Sequence, residues 1–243
     1  MLLKGAKMKT VSRLCLLAVI GVLLTGSGLF AKGSGQPATK ENLDLPFDAF
    51  GLSEEEEEAP EVVFFYGQQY EGDGFFFCLD RSSSTSNGEL AIEKREAIRT
   101  ISQFSKHVLF AVVFYDQGMM KWPGSGRPAE ANGSMKSGAI SFLSTIQAGS
   151  GTCVKKGLLE AINFANRSSA KRNVVIYLGD GGTTCPGNDP GTYGRQTIAE
   201  VAGANFKKHQ INAICVGGNG EVDESFCKSL ANANGGTYRR LTR

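Results

Sequence analysis

The sequence has only two histidines, His107 and His209, and no C-x-x-C pair or cluster of cysteine with histidine. Structural zinc sites are built from such clusters, so the composition argues against a zinc site. Neither histidine has a second histidine or an acid placed beside it as a catalytic partner would be. A glycine-rich nucleotide fingerprint is missing too, because the glycines of "GGNGEVDE" (217–224) lack the required spacing. Zinc chemistry and nucleotide binding therefore have no signal in this chain.

Strong charge of one sign is also missing, since the formal net charge is +2. Residues 1–31 contribute +4, residues 32–60 contribute −6 and residues 61–243 contribute +4. Nucleic-acid-binding domains carry a strongly basic face, so we expect no nucleic acid partner. The composition is that of a globular protein, without an internal repeat or the apolar content of a multispan membrane protein.

The first 31 residues are predicted to be a signal peptide. A basic stretch precedes the uncharged run "LCLLAVIGVLL" (14–24), which has the length of a signal core and is short for a spanning helix. Initiation at Met8 would give a more ordinary signal length, and cleavage after Ser27 or after Ala31 fits the small residues there. We therefore expect an exported protein, with membrane contact only if this segment is retained as an uncleaved anchor.

Residues 32–60 have neither helical nor strand periodicity. They contain "KGSGQPATKENLDLP" and "SEEEEEAP", which are rich in glycine, proline, serine and acid. Such a composition cannot bury enough apolar surface to fold by itself. We interpret this stretch as a disordered acidic tether in front of a folded domain at residues 61–243.

Within the domain, apolar strands alternate with amphipathic helices. Predicted strands lie at 61–67 (a short edge strand), 74–80, 107–116, 119–122, 172–180, 211–218 and 236–241, and predicted helices at 89–104, 135–146, 154–165, 196–209 and 224–234. The segment 119–122 follows its neighbour through a tight turn and is predicted to pair with it as a hairpin. The expected fold class is α/β: a doubly wound, mainly parallel sheet with one antiparallel edge strand and helices on both faces.

Oxygen-bearing side chains collect at the ends of two buried strands. Asp80 ends "GFFFCLD" and Asp180 ends "NVVIYLGD", while Ser82 and Ser84 alternate after the first aspartate. Thr152 stands in "GSGT", just before a helix. Ligands of open α/β sheets bind at the carboxyl ends of strands, where the strand order reverses. Two carboxylates and three hydroxyls, without sulfur or imidazole, suit Mg²⁺ or Mn²⁺.

This arrangement resembles a von Willebrand factor A (VWA) domain with a metal-ion-dependent adhesion site. The family's D-x-S-x-S is matched by Asp80, Ser82 and Ser84 in "DRSSS", its threonine by Thr152, and its second aspartate by Asp180 in "LGDGG". The resemblance covers roughly residues 61–243 and is nearest to exported bacterial members. Ser83 stands where many members carry glycine, and Gly179 where many carry threonine.

The resemblance implies a protein-binding module rather than an enzyme. In the family, the metal keeps one coordination position open for an aspartate or glutamate carboxylate of a partner protein. By the same resemblance, Asp180 acts through water while the Asp80 loop lies close to the metal. The surrounding rim, which sets specificity, includes the polar loop "GTTCPGNDPGTYG" (182–194).

Five cysteines remain if Cys15 is removed with the signal, so at least one is unpaired within the chain. Cys78 and Cys215 lie in apolar strands and are interpreted as small buried side chains. Cys153 follows the candidate metal threonine, and Cys185 lies five residues after Asp180. We expect a disulfide between these two in an exported protein, the alternative being two free thiols on neighbouring loops.

Three other interpretations stay open. "DRSSS" is also compatible with a capped loop that binds nothing, because Asp and Ser are good turn residues. A Mg²⁺-dependent phosphatase or phosphotransferase of the haloacid dehalogenase type also has an aspartate after an apolar strand, but it needs a second acid at the position of Ser82. The third is a structural exported domain without a ligand.

Overall fold

The computed structural model describes residues 59–242, except residues 87, 219 and 221. The predicted signal peptide and nearly all of the predicted tether lie outside the described residues, so both stay predictions. No helix within the described residues is long and apolar enough to cross a membrane.

Nine strands and five α-helices are described. The strands are β1 (Glu61–Phe65), β2 (Gln68–Gly72), β3 (Gly74–Asp80), β4 (Leu109–Tyr115), β5 (Met119–Trp122), β6 (Ala129–Glu130), β7 (Asn173–Gly179), β8 (Gln210–Gly217) and β9 (Tyr238–Thr242). The helices are α1 (Glu89–Gln103), α2 (Gly133–Thr145), α3 (Val154–Arg167), α4 (Pro190–Ala204) and α5 (Glu224–Ala233). A short 3₁₀ helix at Ser83–Ser86 connects β3 to α1.

The main sheet has the strand order β5-β4-β3-β7-β8-β9, and the short β6 pairs with the first two residues of β4. Strands β4, β3, β7, β8 and β9 are parallel, whereas β5 and β6 pair antiparallel to β4. From β3 the chain first winds to β4 on one side and later returns to β7 on the other. The predicted doubly wound sheet with an antiparallel edge strand is confirmed.

Both faces of the sheet are buried by helices, because successive side chains of a strand point to opposite faces. From β3, Phe75, Phe77 and Leu79 pack in the cluster that contains side chains of α1 and α2. Phe76 and Cys78 pack in the other cluster, with side chains of α3, α4 and α5. This two-sided burial explains why the central strands are continuous apolar runs.

The first predicted strand is not an edge of the main sheet, so that prediction was wrong. β1 pairs with β2 in a separate two-stranded ribbon, joined by Tyr66 and Gly67, which both have positive φ angles (51° and 72°). Consecutive positive φ angles form the tight turn that matches the twist of a hairpin. β2 (QQYEG) lacks an apolar run and was not predicted, and only its Tyr70 and Gly72 are buried.

Helix α4 begins six residues earlier than predicted. Pro190 stands in its first turn, and the side chain of Asp189 accepts a hydrogen bond of 2.8 Å from the backbone N–H of Thr192. An aspartate cap followed by proline is a strong helix start. The predicted rim loop 182–194 is therefore shorter, because its last five residues are helical.

Candidate metal site

The two strand-ending aspartates lie at the same edge of the sheet. β3 and β7 are parallel neighbours in a register that pairs Leu79 with Leu178, and Asp80 and Asp180 follow at the carboxyl ends of these strands. The gap between β3 and β7 is also where the chain reverses its direction of winding. The aspartates therefore occupy the position at which such sheets bind their ligands.

Asp80 is completely buried, and both of its carboxylate oxygens accept hydrogen bonds. Oδ1 accepts from the backbone N–H of Ser82 (2.6 Å) and Oδ2 from the hydroxyl of Tyr115 (3.1 Å). Burial, and then the negative charge of Asp180, raise the pKa of Asp80 to about 7. The surroundings of this carboxylate therefore disfavour its charged form.

Ser82, whose backbone N–H bonds Asp80, and Ser84 connect the two aspartates. The Oγ atoms of Ser82 and Ser84 are 3.0 Å apart, and Ser84 Oγ donates to Oδ2 of Asp180 over 3.2 Å. The backbone N–H of Gly182 donates to Oδ1 of the same carboxylate (2.7 Å). Four of the five predicted site residues therefore form one hydrogen-bonded cluster of oxygen atoms.

Thr152, the fifth predicted residue, is buried just before α3 and is linked to the loop that follows Asp180. Its backbone N–H donates to the carbonyl of Thr184 (3.4 Å). The next residue, Cys153, forms a disulfide with Cys185 of that loop, with a Cα–Cα distance of 4.5 Å. The predicted disulfide is confirmed, and it ties the segment of Thr152 to the segment of Asp180.

The segment of Thr152 is also held by an ion pair between Arg81 and Asp116, which the sequence did not predict. Arg81, inside "DRSSS", contacts Oδ2 of Asp116 at 2.7 Å, and the backbone N–H of Gly149 donates to the carbonyl of Arg81 (2.6 Å). The carbonyl of Asp116 in turn accepts from the N–H of Cys153 (2.9 Å). Asp116 directly follows β4, so a third aspartate at a strand end was the available signal.

Glu93 is a second residue that the sequence did not single out. It lies on the buried face of α1, and its Oε2 has no hydrogen-bond partner among the described residues. Burial raises the pKa of Glu93 well above its usual range, and the charges of Asp80 and Asp180 raise it further. A glutamate in a helix position that should be apolar was the signal that could have revealed it.

Cys215 of β8 is buried as interpreted, but it is also joined by a second disulfide to Cys227 of α5, which the sequence did not predict. Cys78 is the buried free cysteine of the described residues, as the odd count predicted. Near this second disulfide, the backbone N–H of Asp223 donates to the carbonyl of Asp180 (2.9 Å). The loop after Asp180 is therefore attached to the start of α5 as well as to α3.

Carboxylates are few at this edge. Within the described part of the chain, no group of three or more His, Cys, Asp or Glu side chains is arranged to hold a metal ion. A cation at the candidate site would therefore depend on hydroxyl oxygens and water in addition to Asp80 and Asp180, as Mg²⁺ sites often do.

No known family model matches this chain. Over 172 residues it is 24% identical to inter alpha-trypsin inhibitor heavy chain 4 of Mus musculus, a match that covers 68% of this chain and 17% of the mouse protein. The chain thus spans only a small part of that relative's length.

Solved structures share the architecture. A von Willebrand factor type A protein from Catenulispora acidiphila superposes with a TM-score of 0.61 at 17% identity, covering 71% of this chain and 40% of that protein. The pilus adhesin SpaC from Lactobacillus rhamnosus GG gives a TM-score of 0.57 at 12% identity, covering 69% of this chain and 27% of the adhesin. Together with the strand order and the helices on both faces of the sheet, these likenesses show that the chain has the von Willebrand factor A fold.

Proposed function

We propose that this protein is an exported, metal-dependent adhesion or protein-binding module. In this proposal Asp80, Ser82, Ser84, Thr152 and Asp180 hold a Mg²⁺ or Mn²⁺ ion, directly or through water. The ion supplies an electrophilic position for an aspartate or glutamate carboxylate of a partner protein. The observation that carries the proposal is the buried Asp80, which is linked through Ser82 and Ser84 to a second carboxylate at the switch point of the sheet.

The chemistry of the donor atoms supports a hard divalent cation. Carboxylate, hydroxyl and water oxygens are the ligands that Mg²⁺ and Mn²⁺ take, whereas zinc and copper prefer nitrogen and sulfur. The pKa of Asp80, raised to about 7 by burial and by Asp180, indicates a negative site that a cation would stabilise.

The exposure of the cluster supports binding to a macromolecule. Asp80 and Ser82 are buried, Asp180 is half-buried, and Ser84 is exposed, so the cluster extends from the interior to the surface. An ion held there would be reachable by a side chain of another protein. A pilus adhesin shares the fold, which supports adhesion as the biological context of this binding.

The phosphatase alternative lacks such support. That chemistry needs an acid two residues after the first aspartate, to protonate the leaving group. Ser82 stands there instead, and its backbone N–H is bonded to Asp80 while its hydroxyl lies 3.0 Å from that of Ser84. We therefore propose binding rather than catalysis, and hydrolysis of a generic phosphate ester is the assay that would contradict this.

Calorimetric titration of the chelator-treated protein with MgCl₂ and MnCl₂ tests the metal site. We expect binding at one site in the wild type and none in Asp80→Asn. Asp189→Asn is the matched control, because it also removes one carboxylate while asparagine still caps α4. Equal binding by wild type and Asp80→Asn would refute the assignment.

Capture of partners from the envelope and secreted fraction, with Mg²⁺ and again with chelator, then tests the binding role.

A further inference from the structure

Two tyrosines lie directly beneath the candidate metal site. Tyr115 ends β4 and is paired in register with Asp80, and Tyr177 is paired with Cys78. Both side chains are completely buried, and their rings are stacked with centroids 6.2 Å apart. Tyrosine carries a polar hydroxyl that must find partners when buried, so a pair of tyrosines here needs an explanation that phenylalanine would not need.

The two hydroxyls form a chain between the two strand ends. The hydroxyl of Tyr115 lies 3.1 Å from Oδ2 of Asp80 and 3.1 Å from the hydroxyl of Tyr177. The backbone N–H of Gly181 donates to the hydroxyl of Tyr177 (3.3 Å). A hydroxyl has one hydrogen, and an ionised carboxylate can only accept. When Asp80 is ionised, Tyr115 therefore donates to Asp80, and Tyr177 donates to Tyr115.

Gly179 provides the space for this chain. A Cβ atom at this position would lie 2.5 Å from the hydroxyl oxygen of Tyr115 and 2.7 Å from that of Tyr177. Real Cβ atoms do not approach other atoms so closely, so any side chain at position 179 would displace the hydroxyls. The glycine directly before Asp180 and the two tyrosines are thus one packing unit.

We propose that Tyr115 and Tyr177 are positioning residues of the metal site, whose hydroxyls set the spacing between the Asp80 carboxylate and the turn that carries Asp180. One end of the chain holds Asp80 and the other holds the amide of Gly181, which immediately follows Asp180. The inference deepens the proposed metal-dependent function and rests on it. Hydrogen bonds in such a chain polarise and strengthen one another, so the loss of either hydroxyl affects both ends.

The first test compares Tyr115→Phe and Tyr177→Phe with the wild type by calorimetric titration with Mg²⁺. Each variant keeps the buried ring and loses only the hydroxyl. We expect Mg²⁺ affinity to fall about tenfold in Tyr115→Phe, which loses a hydrogen bond to a carboxylate. In Tyr177→Phe, which loses bonds to neutral groups, we expect a fall of about fivefold. Tyr70→Phe, at a buried tyrosine of β2 in the other core cluster, is the control and should bind Mg²⁺ as the wild type does.

A second measurement separates positioning from general packing. Hydrogen exchange of the Gly181 amide, followed by NMR in metal-free protein, should be faster in Tyr177→Phe than in the wild type and unchanged in Tyr70→Phe. Gly179→Ala should weaken Mg²⁺ binding when it is made alone. The same substitution should weaken binding much less when it is added to the double variant Tyr115→Phe/Tyr177→Phe, because the two hydroxyl oxygens that its Cβ would meet are absent there.

The outcomes separate the positioning role of the two tyrosines from the existence of the metal site. If the wild type binds Mg²⁺ and both phenylalanine variants bind it within twofold of the wild type, the positioning role is overturned and the metal site stands. If the wild type binds no Mg²⁺, the proposed function fails, and the role of the tyrosines in positioning a metal site fails with it. Reduced affinity in both variants, with faster exchange at Gly181 in Tyr177→Phe, supports the inference.

Discussion

Replacing Asp80 with asparagine should make the metal-free protein more stable at neutral and alkaline pH. Burial and the charge of Asp180 raise the pKa of Asp80 from its usual 3.8 to about 7 in the folded state. The folded protein therefore binds the proton of the Asp80 carboxyl group more tightly than the unfolded chain does. The free energy of unfolding that comes from this tighter proton binding is fully present below about pH 4 and is lost as the pH rises towards 7 and above.

The size of this effect follows from the two pKa values. One pKa unit corresponds to ~1.4 kcal/mol, so the change from 3.8 to about 7 destabilises the ionised folded state by about 4 kcal/mol. Asparagine has nearly the same shape and does not ionise. The free energy of unfolding of Asp80→Asn, relative to that of the wild type, should therefore rise by about 3–4 kcal/mol between pH 4 and pH 8.

Urea denaturation in EDTA at several pH values, followed by circular dichroism, measures this difference. Titrating groups far from Asp80 contribute equally to both proteins and cancel in the comparison, whereas Glu93, whose pKa the charge of Asp80 raises, adds to the difference in the same direction. A relative stability that stays constant with pH, or a variant less stable than the wild type at pH 8, would refute the reasoning about burial and repulsion. Asp189→Asn is again the control, since that carboxylate is exposed.

Magnesium at a thousand times its Kd should cancel this difference in stability at pH 8. At that concentration a ligand stabilises the folded state by about 4.1 kcal/mol, close to the advantage of Asp80→Asn, and only the wild type has an ionisable Asp80 to bind it. Because Mg²⁺ needs the deprotonated carboxylate, its affinity for the wild type should fall about tenfold for each pH unit below 7. Titrations at pH 6, 7 and 8 check this, and an affinity independent of pH would contradict it.

Two further predictions concern the segment before α3. Gly149→Ala should destabilise the protein and weaken Mg²⁺ binding, because its Cβ would lie 1.9 Å from Oδ2 of Asp116. Gly203→Ala is the control, because its Cβ on α4 would meet no other atom, and it should be neutral or stabilising in the same urea titration. The double variant Cys153→Ser/Cys185→Ser should lose about 2–4 kcal/mol of stability and bind Mg²⁺ more weakly, since that disulfide ties the two ligand-bearing segments. Wild-type stability and affinity in the cysteine variant would mean that packing alone holds the rim.

The sequence by itself determined the architecture and the positions of the candidate ligands along it. Runs such as "GFFFCLD" show no alternation of polar residues before the final aspartate, as expected of a strand buried on both faces, and each ends in an oxygen-bearing side chain. Strand and helix alternate, which predicts parallel crossovers and therefore places Asp80 and Asp180 at one edge. Local patterns were sufficient here because hydrophobic periodicity and the alternation of strands and helices along the chain are local properties.

The tertiary structure decided what depends on contacts between distant segments. β2 is polar and becomes a strand only by pairing with β1, and Cys215 is bonded to Cys227 because α5 packs against β8. The pairing of Arg81 with Asp116 and the chain of tyrosine hydroxyls beneath Asp80 join residues that lie 35 or more positions apart. No local pattern records such partners, because each side chain taken alone is compatible with an ordinary surface or core position. The burial and the repulsion from Asp180 that raise the pKa of Asp80, and the hydrogen bonds that orient the candidate site, therefore came only from the folded chain.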